Sequence, residues 1–260
     1  MEFNLKTSIL DTLEYSKKLI ISPDIDGFMT AKLINRYNGS VVVGAYDKNI
    51  LTIANGINPE DCLFVDCDMN TPEFVSIGNH MRLLSDNISI NSFNPNLHFE
   101  VTKYTDKFPY ATCFLITFAT GVSTSDLDKN FMAYADSTYK NLINYERNMK
   151  SWSTRIYHNE VERVLNPKPS DHNERLWIEK TYPKQSFLSK QFGKTRYIQA
   201  LNNSLESEKI KHLPIMHGKK YKTGLVDRNT VTRYNKDMIS YAEIYSGEYS
   251  VTYNQIADWE

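Results

Sequence analysis

The chain of 260 residues carries 30 Lys and Arg against 31 Asp and Glu, a formal net charge of -1. At this length a folded chain withdraws about 70–75% of its unfolded surface from water, enough for a sizeable core and for two domains of roughly 100–150 residues each. With 41% hydrophobic and 23% charged residues, the composition excludes a disordered chain. The balanced charge excludes a uniformly basic surface for duplex nucleic acid, though not a local basic groove.

Leu5, Ile9, Leu10 and Leu13 recur at helical spacing and predict a short amphipathic helix over residues 5–18. Leu19-Ile20-Ile21 predicts a buried strand that stops at Pro23, because proline cannot continue a central strand. Phe28, Ala31, Leu33 and Ile34 predict a helix after Gly27, and Asn38-Gly39 a turn. Val41-Val42-Val43 and Leu63-Phe64-Val65 predict two more buried strands, with a fourth over Phe74 to Ile77. Helices follow over residues 110–121, 125–132 and 138–156.

Asn166-Pro167-Lys168-Pro169-Ser170-Asp171 is the clearest break in the chain. Beyond it, residues 174–208 read as helical and 213–256 as strand-rich, with a hairpin turning at Ser246-Gly247. The expected fold is α/β: a parallel-sheet lobe over residues 1–160, then a smaller α+β lobe over residues 172–260.

Cys62, Cys67 and Cys113 form neither a disulfide framework nor a CxxC zinc pair. The N-terminal segment is too polar for a signal peptide. The longest apolar runs, residues 18–22 and 111–119, fall far short of the roughly 20 residues of a membrane span. A reducing, cytoplasmic setting with no membrane partner is expected.

In a parallel sheet, ligands collect beyond the carboxyl ends of the strands. Asp24, Asp26, Asp66 and Asp68 all fall just past predicted strand ends. Two aspartates at i and i+2 in such a loop can reach neighbouring hard cations through carboxylate oxygen, or one of them can cap the helix that follows. Asp66, at the tip of a core strand, can bridge two ions or serve a turn. His80 follows an apolar run and suits either a structural place or a ligand. Asp136, at the end of Phe131–Ala135, suits a ligand or a cap.

In order and context these segments resemble the four motifs of the DHH phosphoesterase superfamily, which includes RecJ-type exonucleases, oligonucleotide and cyclic-dinucleotide phosphodiesterases, and family II pyrophosphatases. SPDIDGFMTAKL (residues 22–33) looks like the first motif and FVDCD (64–68) like the second. IGNHM (77–81) sits where D-H-H belongs, and YADST (134–138) looks like the fourth motif. FPYATCFLI (108–116) fits the helix between the third and fourth. The resemblance covers residues 18–140. It departs at Ile20 and Ser22, where the family often has an extra metal ligand, and at Gly78-Asn79-His80 or Asn79-His80-Met81, where only one histidine survives. The second half has no glycine-rich GGGH-type segment.

The resemblance implies a hydrolase in which Asp24, Asp26, Asp66 and Asp136, with Asp68 as a replacement ligand, hold one or two Mn²⁺ or Mg²⁺ ions. Asp66 and His80 would be catalytic, His80 donating to a phosphate oxygen or protonating the leaving group. The implied substrate is a nucleotide or a short single-stranded nucleic acid. The second lobe would bind it through the basic run His217, Lys219, Lys220 and Lys222, with Arg228 and Arg233 nearby; the same run also reads as a solvated strand edge. The alternative is a DHH-like module that binds nucleotide, nucleic acid or protein without turnover. Asp24-Ile25-Asp26-Gly27 and Asp66-Cys67-Asp68-Met69-Asn70-Thr71 also echo the start of haloacid-dehalogenase-type phosphatases, in which the first Asp is a nucleophile.

Overall fold

The computed structural model describes residues 5–83, 88–138, 145–156 and 192–259. The break at 166–171, His158, His172 and much of the predicted 174–208 helix lie outside them.

Helix α1 (Leu5–Glu14) buries Leu5, Ile9 and Leu13, three positions one helical turn apart. Strand β1 (Lys18–Ile21) leads into helix α2 (Ile25–Asn38). Strands β2 (Val41–Tyr46) and β3 (Ile50–Ala54) form a hairpin, then β4 (Leu63–Val65) and β5 (Val75–Ile77) follow. Next come helices α3 (Pro95–His98), α4 (Thr112–Thr120), α5 (Asp126–Tyr134), α6 (Glu146–Ile156) and α7 (Lys194–Ser207). The chain ends in β6 (Ile215–Asp227), α8 (Arg228–Tyr234), β7 (Met238–Tyr245) and β8 (Glu248–Ala257).

Among the described residues the eight strands belong to one mixed sheet in the order β5-β4-β1-β2-β3-β6-β8-β7. The pairs β5-β4, β4-β1 and β1-β2 are parallel, and the rest are antiparallel. The C-terminal strands therefore extend the N-terminal sheet through the β3–β6 pairing, in which Leu51 faces Lys219. This continuity crosses the division expected near residues 160–172.

The strand sequences explain why both faces are dry. Leu19 and Ile21 point into the large core with α1, α2 and α4, while Ile20 points to a second cluster with Val43, Phe64 and Met69. A strand buried on both sides shows a continuous apolar run rather than an alternation. The second cluster includes Ile239 of β7, because the sheet curls. Asn70 N donates to Ile239 O at 2.7 Å and Glu243 N to Met81 O at 3.1 Å, so the last strand in the order returns across the carboxyl ends of β4 and β5. Tyr46 and Ser240 hydroxyls, 2.6 Å apart, and the Arg82 guanidinium, 4.8 Å from the Tyr241 ring centre, fasten it there. Among the described residues no helix is long and apolar enough to cross a membrane.

Candidate metal centre

The first loop is shaped by a close approach. Asp24 is the N-cap of α2, with extended backbone, accepting from Gly27 N at 3.1 Å and from Ser22 Oγ at 2.9 Å. At residue 27 the helix passes so near the end of β1 that a Cβ would lie 1.9 Å from the Ser22 carbonyl oxygen. Only glycine fits there. Gly27→Ala is expected to cost at least about 3 kcal/mol in chemical denaturation, because the opposing atom is backbone and cannot rotate away. A loss below about 1 kcal/mol would mean that the loop yields.

Asp26, in the first turn of α2, is buried and reaches across to α4. It accepts from Thr112 N at 2.6 Å, Cys113 N at 2.9 Å and Thr30 Oγ1 at 3.2 Å. The N-cap of α4 is Ala111, which offers no side-chain acceptor. Asp26 thus satisfies that helix's first amides from a distance and meets the positive end of its dipole.

Asp66 leaves β4 with φ 56°, and its carboxylate accepts from Thr112 Oγ1 at 2.8 Å. Asp136 follows α5 with φ 47° and accepts from Asn79 Nδ2 at 2.8 Å. A left-handed backbone costs a side-chain-bearing residue about 1–2 kcal/mol, least for Asp and Asn. Both residues thus hold a backbone posture that aims the carboxylate.

The outcome is convergence. One carboxylate oxygen from each of Asp26, Asp66 and Asp136 lies within 4.8 Å of the others. Asp26 and Asp66 are buried, and Asp136 is exposed and forms the open side of the group. Burial, then the charges of Asp136 and Asp24, push the Asp26 carboxyl up to about 6. Asp66 lies well above the ordinary carboxylate range, through burial and then the charges of Asp26, Asp24 and Asp136. Asp24 is raised by burial and by Asp136. Like charges at such separations repel by roughly 3–4 kcal/mol per pair at an effective dielectric of about 20. The group must take up protons or a cation.

The donor set fits a cation. Carboxylate oxygens suit hard divalent ions such as Mg²⁺ and Mn²⁺. Asn79 adds an independent sign. Its Nδ2 donates to Tyr110 O and to Asp136 Oδ2, both at 2.8 Å, while its buried Oδ1 has no hydrogen-bond partner. A buried acceptor left unpaired is rare, and a cation beside the acidic group would satisfy it. The buried Asp26-Asp66 pair with Asp136 can hold a metal ion.

Two sequence expectations come out differently. Asp68 is not brought into this group. Its Oδ2 accepts from His80 Nδ1 at 2.8 Å and from His80 N at 3.1 Å, and its Oδ1 from Asn94 Nδ2 at 2.6 Å. Burial opposes ionisation of Asp68, but the His80 hydrogen bond and charge, with Arg82 and Asn94, outweigh it and hold the carboxyl below its usual value. Nor do His217, Lys219, Lys220 and Lys222 form one groove, because neighbours along β6 such as Lys219 and Lys220 face opposite sides of the sheet. Lys48 of the β2–β3 turn instead lines a small pocket with Asp66, Asp68, His80 and Ser240.

Thr112 and Lys48 were not singled out from the sequence, and Asn79 was named only as a departure where the resemblance, in one register, expects a histidine. A hydroxyl at the start of an apolar helix was the one signal available, for Thr112. Cys62, Cys67 and Cys113 are all free and buried. Comparison of the chain with protein-family models, with curated proteins and with solved structures finds no match.

Proposed function

We propose that the chain is a DHH-like, metal-dependent phosphoesterase that hydrolyses phosphodiester bonds of short single-stranded oligonucleotides or small nucleotides, with Mn²⁺ or Mg²⁺ as its cofactor. The observation that carries this reading is the meeting of Asp26, Asp66 and Asp136, with Asp24 close by, from segments far apart in the chain. Asp26, Asp66 and Asp136 would hold the ion, with Asn79 Oδ1 as a neutral oxygen donor. Such an ion, when bound, neutralises phosphate charge and makes water a better nucleophile near neutral pH.

The chain's own groups do the rest. His80 lines the pocket beside Asp66, with Nδ1 held by Asp68, so that Nε2, once it carries a proton, would donate to a phosphate or leaving-group oxygen. Ser240–Ala242 of β7 line the same pocket. A second opening borders Asp136 and is lined by Tyr104, Lys107, Tyr145 and Asn148. The Lys107 ammonium lies 4.9 Å over the Tyr104 ring centre, and Tyr145 is 53% exposed. Flat aromatic faces next to a lone cation suit a stacked base and its phosphate.

The test is hydrolysis of a thymidylate hexamer and of p-nitrophenyl thymidine monophosphate with Mn²⁺, against EDTA. Tyr145→Ala and Lys107→Ala are expected to raise KM about tenfold with kcat within about twofold, since stacking contributes roughly 1–3 kcal/mol per base. Unchanged KM in both variants would remove this opening from the substrate path.

A second reading, binding without turnover, has its own support. Asp24 and Asp26 already act as helix caps, and in the Gly78-Asn79-His80 register Asn79 stands where the resemblance would put a ligand histidine. Saturable binding of the hexamer with no hydrolysis under Mn²⁺ or Mg²⁺ would favour it.

A further inference from the structure

We infer that Asp68 is the positioning residue for His80, its carboxylate seated in a slot that exists because residue 78 is glycine. The inference rests on the phosphoesterase reading for its kinetic part only.

A carboxylate accepts and does not donate, so the 2.8 Å contact from Asp68 Oδ2 requires the proton of a neutral His80 ring to sit on Nδ1. Nε2 is then a lone pair that can take a proton and hand it on. The same Oδ2 also accepts the His80 backbone amide, so ring and backbone are held by one atom. Asp68 cannot swing away. Its other oxygen is fixed by Asn94 Nδ2, and Asn94 is locked in turn as the N-cap of α3 and by a 2.9 Å bond to the His80 carbonyl. The Asp68 side chain is 4% exposed and that of His80 is 20% exposed, which places the hold inside and the working edge outside.

Gly78 supplies the room. A Cβ there would lie 2.5 Å from Asp68 Oδ2 and 2.7 Å from both Cγ and Oδ1. The carboxylate occupies the space that any other side chain at 78 would need. Alanine at 78 therefore displaces the carboxylate without altering its chemistry.

The experiment uses the full chain labelled with ¹⁵N-histidine, metal-free, at a pH where imidazole is neutral. Ring nitrogen shifts report which nitrogen carries the proton. Native protein is expected to show His80 protonated on Nδ1. Asp68→Asn and Gly78→Ala are each expected to move His80 towards the Nε2-protonated tautomer favoured by free imidazole. An amide at 68 has one acceptor for donors on two sides, so it cannot reproduce the hold. Calorimetric Mn²⁺ affinity is expected to stay within about threefold in Asp68→Asn, whereas kcat falls about a hundredfold at unchanged KM.

An Nε2-protonated ring in the native protein overturns the inference. So does loss of Mn²⁺ binding in Asp68→Asn, which would make Asp68 a ligand, or an unchanged kcat alongside a changed tautomer. Should Gly78→Ala fail to fold, the isosteric Asp68→Asn carries the test. If the native protein hydrolyses no phosphodiester, the phosphoesterase reading fails while the tautomer result still decides whether Asp68 sets His80.

Discussion

Asp66→Asn is expected to do two opposite things: weaken Mn²⁺ binding by more than about a hundredfold, because a ligand loss exceeds the 10–100-fold typical of an outer-shell change, and stabilise the metal-free protein. The binding loss follows from Asp66 standing at the centre of the group, within 4.8 Å of an oxygen of both Asp26 and Asp136. The stabilisation follows from removing one charge from a buried set whose members repel. Asparagine also tolerates the left-handed backbone at φ 56° and can still accept from Thr112 Oγ1. Asp66→Ala should lose the same binding but gain less stability, since alanine is poorly suited to that backbone. Calorimetry and thermal unfolding in EDTA check both signs. Native-like Mn²⁺ affinity in Asp66→Asn would dissolve the proposed centre, and a lower melting temperature would show that the carboxylates do not repel.

The second large effect is a coupling between pH, metal and stability. Asp26 has a carboxyl raised from an ordinary 3.8 to about 6. A group whose folded value is raised adds stability that is full below the unfolded value and is lost as pH rises through the folded value. Metal-free protein should therefore lose stability between about pH 4 and pH 7. Two units correspond to roughly 3 kcal/mol. Asp66 and Asp24 push in the same direction. The melting temperature in EDTA should fall by on the order of 10 °C across that range. Saturating Mn²⁺ should restore most of it at pH 7 and little at pH 5, where protons compete for the ligands.

Asp47 separates the contributions. Burial raises it to about 6 as well, despite bonds from Ile50 N, Asn49 N and Tyr197 OH. It lies outside the acidic group, so its share of the pH dependence should persist with Mn²⁺ present. A melting temperature in EDTA that rises from pH 5 to pH 7 would contradict the convergence.

The parallel half of the fold was readable because its strands are buried on both faces and so write themselves as Leu19-Ile20-Ile21, Val41–Val43 and Leu63–Val65. Strand β3 was missed although Asp47-Lys48-Asn49 is a polar turn between two largely apolar runs, Val41–Tyr46 and Ile50–Ala54, and so a hairpin signal in the sequence. The joining of β6 to β3 had no local signal, since it pairs Lys219 with Leu51 across the length of the chain. The three aspartates of the centre, and Asp24 beside them, were legible from their places after apolar runs. Their partners were not. For Asp26 a cap of its own helix stood beside the ligand reading, yet the helix whose amides it meets is α4. Asp68 looked like a ligand because it shares a strand end with Asp66, but its carboxylate, two residues further along, turns towards His80. Asn79 shows nothing in the sequence that marks an unpaired oxygen.

The returning strand β7 imposes an order of events on the growing chain. The three carboxylates of the centre have all been made once residue 136 is added, whereas the wall at Ser240–Ala242 comes about a hundred residues later. At ribosomal speed that interval is roughly 5–20 s. On a nascent chain the Asp66 side of the acidic group is therefore uncovered until the last hairpin is added, whereas the Asp136 side stays open throughout.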